Sequence, residues 1–189
     1  MPAENRFTEE KDLINACLKG ERMAQRELYG QYSGKFLPIC IRYVKNRDLA
    51  QDVLVEGFMK IFESLPQFKN AGSFEGWMKR IMVNQALLTL RNNKNLRMEV
   101  ELEMHNDCRD FHTQQWDFGA EELLQIISAL PVGYRTVFNL YAIEGYSHRE
   151  ISQMLDISES TSKSQLSRAR MILQQKLKPN LQNEEKNEG

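Results

Sequence analysis

Glycine and proline are scarce in this chain, at 10 and 5 of 189 residues, and no alternating Val/Ile/Thr-rich run occurs, so the sequence reads as all-helical. Cysteine is scarcer still. Cys17, Cys40 and Cys108 are odd in number and far apart, which fits reduced thiols better than a disulfide framework. No uninterrupted apolar stretch of roughly 18 residues exists, and the opening MPAENRFTEEKD has no apolar core of a signal peptide. The expectation is a cytoplasmic protein with no membrane insertion. A net charge of −1 excludes a generally basic surface, so any nucleic-acid site must be local. There is no Gly-rich phosphate loop, no G-x-S-x-G and no H-E-x-x-H, so neither enzymatic chemistry nor a cofactor is expected. His105, Cys108 and His112 form H-x-x-C-x-x-x-H, but the segment is irregular and lacks a second nearby Cys, so no metal is assigned.

What is present is apolar content of 41%, enough to fill one large or two small cores. Thr8 can cap a helix through Leu13, Ile14, Cys17 and Leu18 that ends at Gly20. A second run starts near Glu21, with Ala24, Leu28, Tyr32, Phe36 and Ile39 spaced for burial and Pro38 as a kink or break. Asn46 can cap a third, Arg47 to about Ser64, in which Leu49, Val53, Gly57 and Ile61 repeat at i,i+4 beside Asp52, Glu56 and Lys60. Pro66 ends it, and 67–73 is a short loop. Ser73 then caps a helix with Phe74, Trp77, Ile81 and Leu88 on one side, where Trp77 reads as core, and Arg80, Asn84 and Arg91 on another. From Phe74 to Arg97 the bases Lys79, Arg80, Arg91, Lys94 and Arg97 face Glu75 alone, a local basic surface. Periodicity then fades and acids gather, marking a mobile, partly extended linker. Two further helices come after it, one with Leu123, Leu124, Ile126, Ile127 and Leu130, the other from Pro131 with Val137, Phe138, Leu140 and Ile143.

The stretch SHREISQMLDISESTSKSQLSRAR, Ser147 to Arg170, holds two short helical patterns meeting at a polar turn. Ser147 and Glu150 form an S-x-x-E capping box, and Ile151, Met154 and Leu155 share a face. Asp156 tolerates the left-handed backbone that the turn needs, and Ser158 can cap the second helix. On that second helix Ser162, Leu166, Ala169, Leu173 and Leu177 fall on one side, while Ser160, Thr161, Ser164, Ser167 and Arg168 fall on the other. An apolar back with a front of hydroxyls and cations suits a DNA major groove. An ordinary helical hairpin with a solvated face is the less favoured reading of the same pattern.

The two blocks together resemble the bacterial sigma-70 family of RNA polymerase sigma factors, in its extracytoplasmic-function (ECF) group. LPVGYRTVFNLYAIEGYSHREISQMLDIS with ESTSKSQLSRAR is similar to that group's promoter-reading helix-turn-helix, and RDLAQDVLVEGFMKIFESL, QF and SFEGWMKRIMVN to its polymerase-binding and promoter-melting domain. The resemblance implies an all-α chain of two small helical domains joined by a flexible acidic linker. These are a region 2-like domain at 1–91, a linker at 92–120, a region 4-like helix-turn-helix domain at 121–179 and a disordered tail at 180–189. It implies core RNA polymerase (β′ clamp helices and β flap), promoter DNA and an anti-sigma protein as partners. Asp52, Val53, Glu56 and Met59 would bind polymerase. Asn70, Ser73, Lys79, Arg80 and Asn84 would take the minus-10 element. Ser160, Thr161, Lys163, Ser164, Ser167 and Arg168 would read the minus-35 element, with Arg149 or His148 on phosphate. Acids in the linker would mimic the RNA whose channel they occupy. Four positions depart from the family pattern: Val55 for Gln, Leu88 for Asp, Ser162 for a buried Val and Asp156 for Gly. A stand-alone helix-turn-helix repressor or activator would need only the later domain, and a protein-binding adaptor would need neither DNA face.

Overall fold

The computed structural model describes residues 9–69, 72–92 and 120–184, with backbone alone at 120–123 and 177–184. Among these residues every regular element is helical. Residues 93–119 of the expected linker, with His105, Cys108 and His112, lie outside the described residues, as does Thr8. The chain divides into two compact units, with the division near Thr89.

In the first unit α1 (Glu10–Leu18) begins one residue after Glu9, which occupies the cap position without a side-chain bond, and Glu10 and Asp12 face the positive helix start. Gly20 at φ +75 closes the helix, donating its N–H to the Cys17 carbonyl at 3.0 Å. α2 (Arg22–Val44) continues through Pro38, which rules out the break that was one of the two expected outcomes there. Pro38 is exposed, while Leu28, Phe36, Cys40 and Tyr43 are buried on either side of it. Burial along that stripe outweighs the single hydrogen bond that proline removes.

α3 (Arg47–Ser64) starts as expected at Asn46, whose side chain accepts the Leu49 N–H at 2.8 Å. Its Gly57 lies against Met82 of α4 (Phe74–Asn92), leaving no room for a Cβ. The buried stripe of α4 is Phe74, Met78, Met82, Val83, Ala86, Leu87 and Leu90. This corrects the expected face: of Phe74, Trp77, Ile81 and Leu88, only Phe74 is in the core, and Leu88 is 45% exposed. Apolar residues nearly encircle this helix, so spacing alone does not choose a side, and flexible methionines fill the interior.

In the second unit α5 (Ala120–Ser128) and α6 (Val132–Phe138) meet at Pro131. Arg135 is fully buried and donates from Nη1 to the carbonyls of Leu130 at 3.0 Å and Ser128 at 3.4 Å. A guanidinium thus satisfies carbonyls left open where α5 ends. A π-helical turn, Asn139–Ile143, continues α6 and closes with the Glu144 N–H on the Asn139 carbonyl at 2.9 Å. Because this turn is one residue wider, Ile143 rotates out and is 37% exposed, contrary to its expected burial. Gly145 at φ +80 turns the chain toward α7 (His148–Leu155).

α7 opens on the expected capping box: the Ser147 N–H donates to Glu150 Oε2 at 2.8 Å, and the Glu150 N–H donates to Ser147 Oγ at 3.3 Å. It ends at Asp156 in the left-handed region, φ 56 and ψ 48, with the Ile157 N–H on the Ser152 carbonyl at 3.1 Å. α8 (Glu159–Glu184) buries Leu166 and packs Ala169 and Leu173 with Ile127 and Leu130, against which Tyr134, Phe138 and Ile172 also lie. Its backbone stays helical through Pro179 to Glu184, five residues into the stretch expected to be a disordered tail. Leu, Gln and Glu are good helix formers, and propagation costs far less than nucleation.

Candidate nucleic-acid and protein interfaces

Ser158 sets the start of α8: its Oγ accepts the Thr161 N–H at 3.0 Å and bonds the hydroxyls of Ser160 and Thr161 at 2.7 and 2.8 Å. From that anchor Ser160, Lys163, Ser164, Ser167, Arg168 and Arg170 emerge exposed, while Thr161 is half-buried. At about 100° per residue, Ser160, Ser164 and Ser167 form the outermost row, Lys163 lies on one flank and Arg168 on the other. Ser164 donates its hydroxyl to the Thr161 carbonyl at 3.0 Å, so it lies flat on the helix. Glu159 is the one acid in the first turn. This is a surface that a nucleic-acid backbone can approach closely and that presents cations at both edges.

Of the two residues considered for phosphate, Arg149 is exposed on α7. His148 instead turns inward. Its Nδ1 is hydrogen-bonded to Ser162 Oγ at 2.9 Å, and its ring stacks on Tyr141 with centroids 4.6 Å apart. Ser162 is 0% exposed, so the expected helix register holds. Its hydroxyl reaches across to α7; a bond back to its own helix, the other way to satisfy it, is not what forms. Tyr141 also carries the Arg170 guanidinium over its ring at 5.6 Å.

In the first unit the loop before α4 is held by aromatics. Phe68 packs on Phe74 and Trp77 with centroids 5.1 Å away in each case, and Trp77 stacks on Phe74 at 5.8 Å. Ser73 caps α4, its Oγ accepting the Gly76 N–H at 3.2 Å, which leaves its O–H and one lone pair for a ligand. Asn70 lies outside the described residues. Arg80 and Asn84 are exposed one turn apart, on the side of α4 that also carries half-buried Trp77 and exposed Leu88. Lys79 is half-buried and about 100° around the helix from Arg80, so the structure does not bring it to the same face.

On α3 the exposed strip is Asp52, Val55, Glu56 and Met59, at i, i+3, i+4 and i+7. Val53 is 1% exposed, which corrects its expected place on this surface: it faces the core, and Val55 at 49% takes the outward position beside Met59 at 59%. Period-four spacing from Leu49 assigns Val53 to the buried stripe, and one residue cannot serve both sides. Gln85 of α4 donates to Glu56 Oε2 at 2.7 Å, which fixes that carboxylate. Among the described residues no group of three or more His, Cys, Asp or Glu is placed to hold a metal, and no helix is long and apolar enough to cross a membrane.

Two family models match the chain, Sigma-70 region 2 over residues 28–95 and Sigma-70, region 4 over residues 120–173. The ECF RNA polymerase sigma-E factor of Haemophilus influenzae is 28% identical over 179 residues, which is 88% of this chain and 94% of that protein. The RNA polymerase sigma-H factor of Pseudomonas aeruginosa is 28% identical over 187 residues, 92% of this chain and 97% of that protein. Among solved structures, the sigma factor RpoE in complex with the anti-sigma factor NepR from Bartonella quintana has the same fold, with a TM-score of 0.52 and 20% identity, covering 81% of this chain and 96% of that one.

Proposed function

We propose that the chain, which matches the Sigma-70 region 2 and region 4 models and is similar to ECF sigma factors, directs RNA polymerase to promoters by reading two promoter elements with separate helical units. The observation that carries this reading is the outward face of α8, a row of small hydroxyls flanked by Lys163 and Arg168 and mounted on a fully capped helix-turn-helix. Small side chains admit the helix to the major groove, and the flanking cations reach guanine or phosphate. Ser160, Thr161, Lys163, Ser164, Ser167 and Arg168 take the minus-35 element, with Arg149 on phosphate.

Residues 1–91 take the minus-10 element and polymerase, and 92–120 link the two units. Extruding a base costs a few kcal/mol of stacking, which contacts to the flipped base must offset. The loop with Asn70 and Ser73 supplies them, and Arg80, Asn84 and the flanking Lys79 track the single strand. Trp77, on the same side as Arg80, offers a partly exposed ring for stacking. Asp52, Val55, Glu56 and Met59 form the polymerase contact, on the clamp helices. The chain performs no catalysis, acts in the cytoplasm, and is controlled by an anti-sigma protein of the kind bound to its Bartonella structural neighbour.

Run-off transcription with core RNA polymerase tests this. The protein should stimulate initiation at a subset of genomic promoters, and Lys163→Ala and Arg168→Ala should each weaken minus-35 use by roughly 1 to 3 kcal/mol where the contact is to a base. No stimulation on any genomic template sinks the reading. Binding to duplex DNA without polymerase, indifferent to Arg80 and Asn84, would favour a stand-alone repressor or activator.

A further inference from the structure

Arg168 does not extend freely from α8. Its Nη1 donates to the Tyr134 hydroxyl of α6 at 3.1 Å, across 34 residues of sequence. The Tyr134 ring in turn packs on the core formed by Ile127, Leu130, Ala169 and Leu173. The two helices are close here, since a Cβ on Gly133 would come within 3.4 Å of Gln165, one turn before Arg168. An aromatic rooted in the core therefore holds the tip of an arginine on the DNA-facing helix. A guanidinium is planar with five donors in a fixed fork, so holding one nitrogen narrows the orientations open to the rest.

We propose that Tyr134 is a specificity-determining positioning residue: by holding Arg168 it pre-orients the guanidinium for one base of the minus-35 element. An unrestrained arginine spends rotamer entropy on each contact and reaches phosphate as readily as base. A restrained one spends less and reaches fewer targets. Tyr134 thereby raises discrimination more than it raises affinity. This rests on the assignment of Arg168 as a minus-35 contact.

The test is Y134F, which keeps the packed ring and removes the hydroxyl. With the full chain and core polymerase, initiation is measured on promoters carrying each single base change across the minus-35 element. Y134F should lower discrimination about threefold to tenfold at the position that R168A also flattens. Other positions, polymerase binding and the melting temperature should not move, and Y134F should add nothing in an R168A background. An unaltered profile in Y134F beside a flattened one in R168A overturns the role of Tyr134 alone. So does an equal loss on every promoter, or a loss that persists without Arg168. If R168A leaves all promoters unchanged, the minus-35 assignment of Arg168 itself fails and takes this role with it.

Discussion

His148 and Ser162 are joined by a 2.9 Å hydrogen bond that ties the first helix of the helix-turn-helix to the inner face of the second. Where the family pattern has a buried valine, this chain has a polar pair, and it fixes the angle between α7 and α8 with a directional contact. Ser162→Ala leaves the imidazole nitrogen without that partner and should cost about 1 to 3 kcal/mol. His148→Ala also removes the ring stacked on Tyr141 and should cost more. A double-mutant cycle monitored by thermal unfolding should give a coupling of roughly 0.5 to 3 kcal/mol, and additive losses would show that the pair contributes no linkage of its own.

The buried thiols make a prediction at alkaline pH. Burial, with Glu21 adding to it, pushes the Cys17 thiol up from 9.0 to about 11. Burial likewise pushes the Cys40 thiol up to about 12, partly opposed by a backbone hydrogen bond. A thiol whose pKa is raised by folding favours the folded state while protonated. That contribution is complete below pH 9.0, the ordinary value, and is lost as pH rises toward 11 and 12. With Cys108 replaced by Ser, alkylation at pH 9 should therefore be slow in the native protein and fast in urea, and stability should fall only above that pH. Rapid native labelling at neutral pH would contradict it.

The signals legible in the sequence are those carried by adjacent residues. Asn46, Ser147 and Ser158 cap their helices, and Asp156 takes the left-handed position, because each acts on backbone within four residues. The front of α8 is legible for the same reason, since a strongly two-sided helix states its own orientation. What stays hidden depends on distant partners. Arg135 has the composition of a surface cation, and only the fold brings the end of α5 to its guanidinium. Spacing with Phe74 suggests burial for Trp77 and Leu88, whereas Gly57 of α3 lies against Met82 and the buried side is that of Met78 and Met82. The grip of Tyr134 on Arg168 has no local trace at all.

Two helical glycines should respond to alanine with opposite signs. Gly30 in α2 has nothing within 4 Å of a built Cβ, so Gly30→Ala should stabilise by roughly 0.5 to 1 kcal/mol through helix propensity. At Gly57 the same gain meets the Sδ and Cε of fully buried Met82, and overpacking a core costs about 1 to 3 kcal/mol. The clash outweighs the propensity, leaving a net loss of about 1 kcal/mol. Thermal melting of both variants checks it, and a stabilised Gly57→Ala would mean that Met82 moves aside at little cost.

The two sides of α3 separate folding from polymerase binding. Val53 is enclosed, and removing its two methyl groups in Val53→Ala should lower stability by about 2 kcal/mol, from roughly 0.8 kcal/mol per buried carbon plus the cavity left behind. Met59→Asp, at 59% exposure, removes little packing and should change stability by no more than about 0.5 kcal/mol. If the Asp52, Val55, Glu56 and Met59 strip meets core polymerase, Met59→Asp should nevertheless weaken binding about tenfold or more, because a carboxylate would be buried in an apolar contact without a partner. Fluorescence titration of labelled protein with core enzyme, beside melting curves, distinguishes the two. Unchanged affinity in Met59→Asp and Val55→Asp together would move the polymerase contact off this strip, because its exposed apolar pair is what distinguishes it from a merely solvated acidic face.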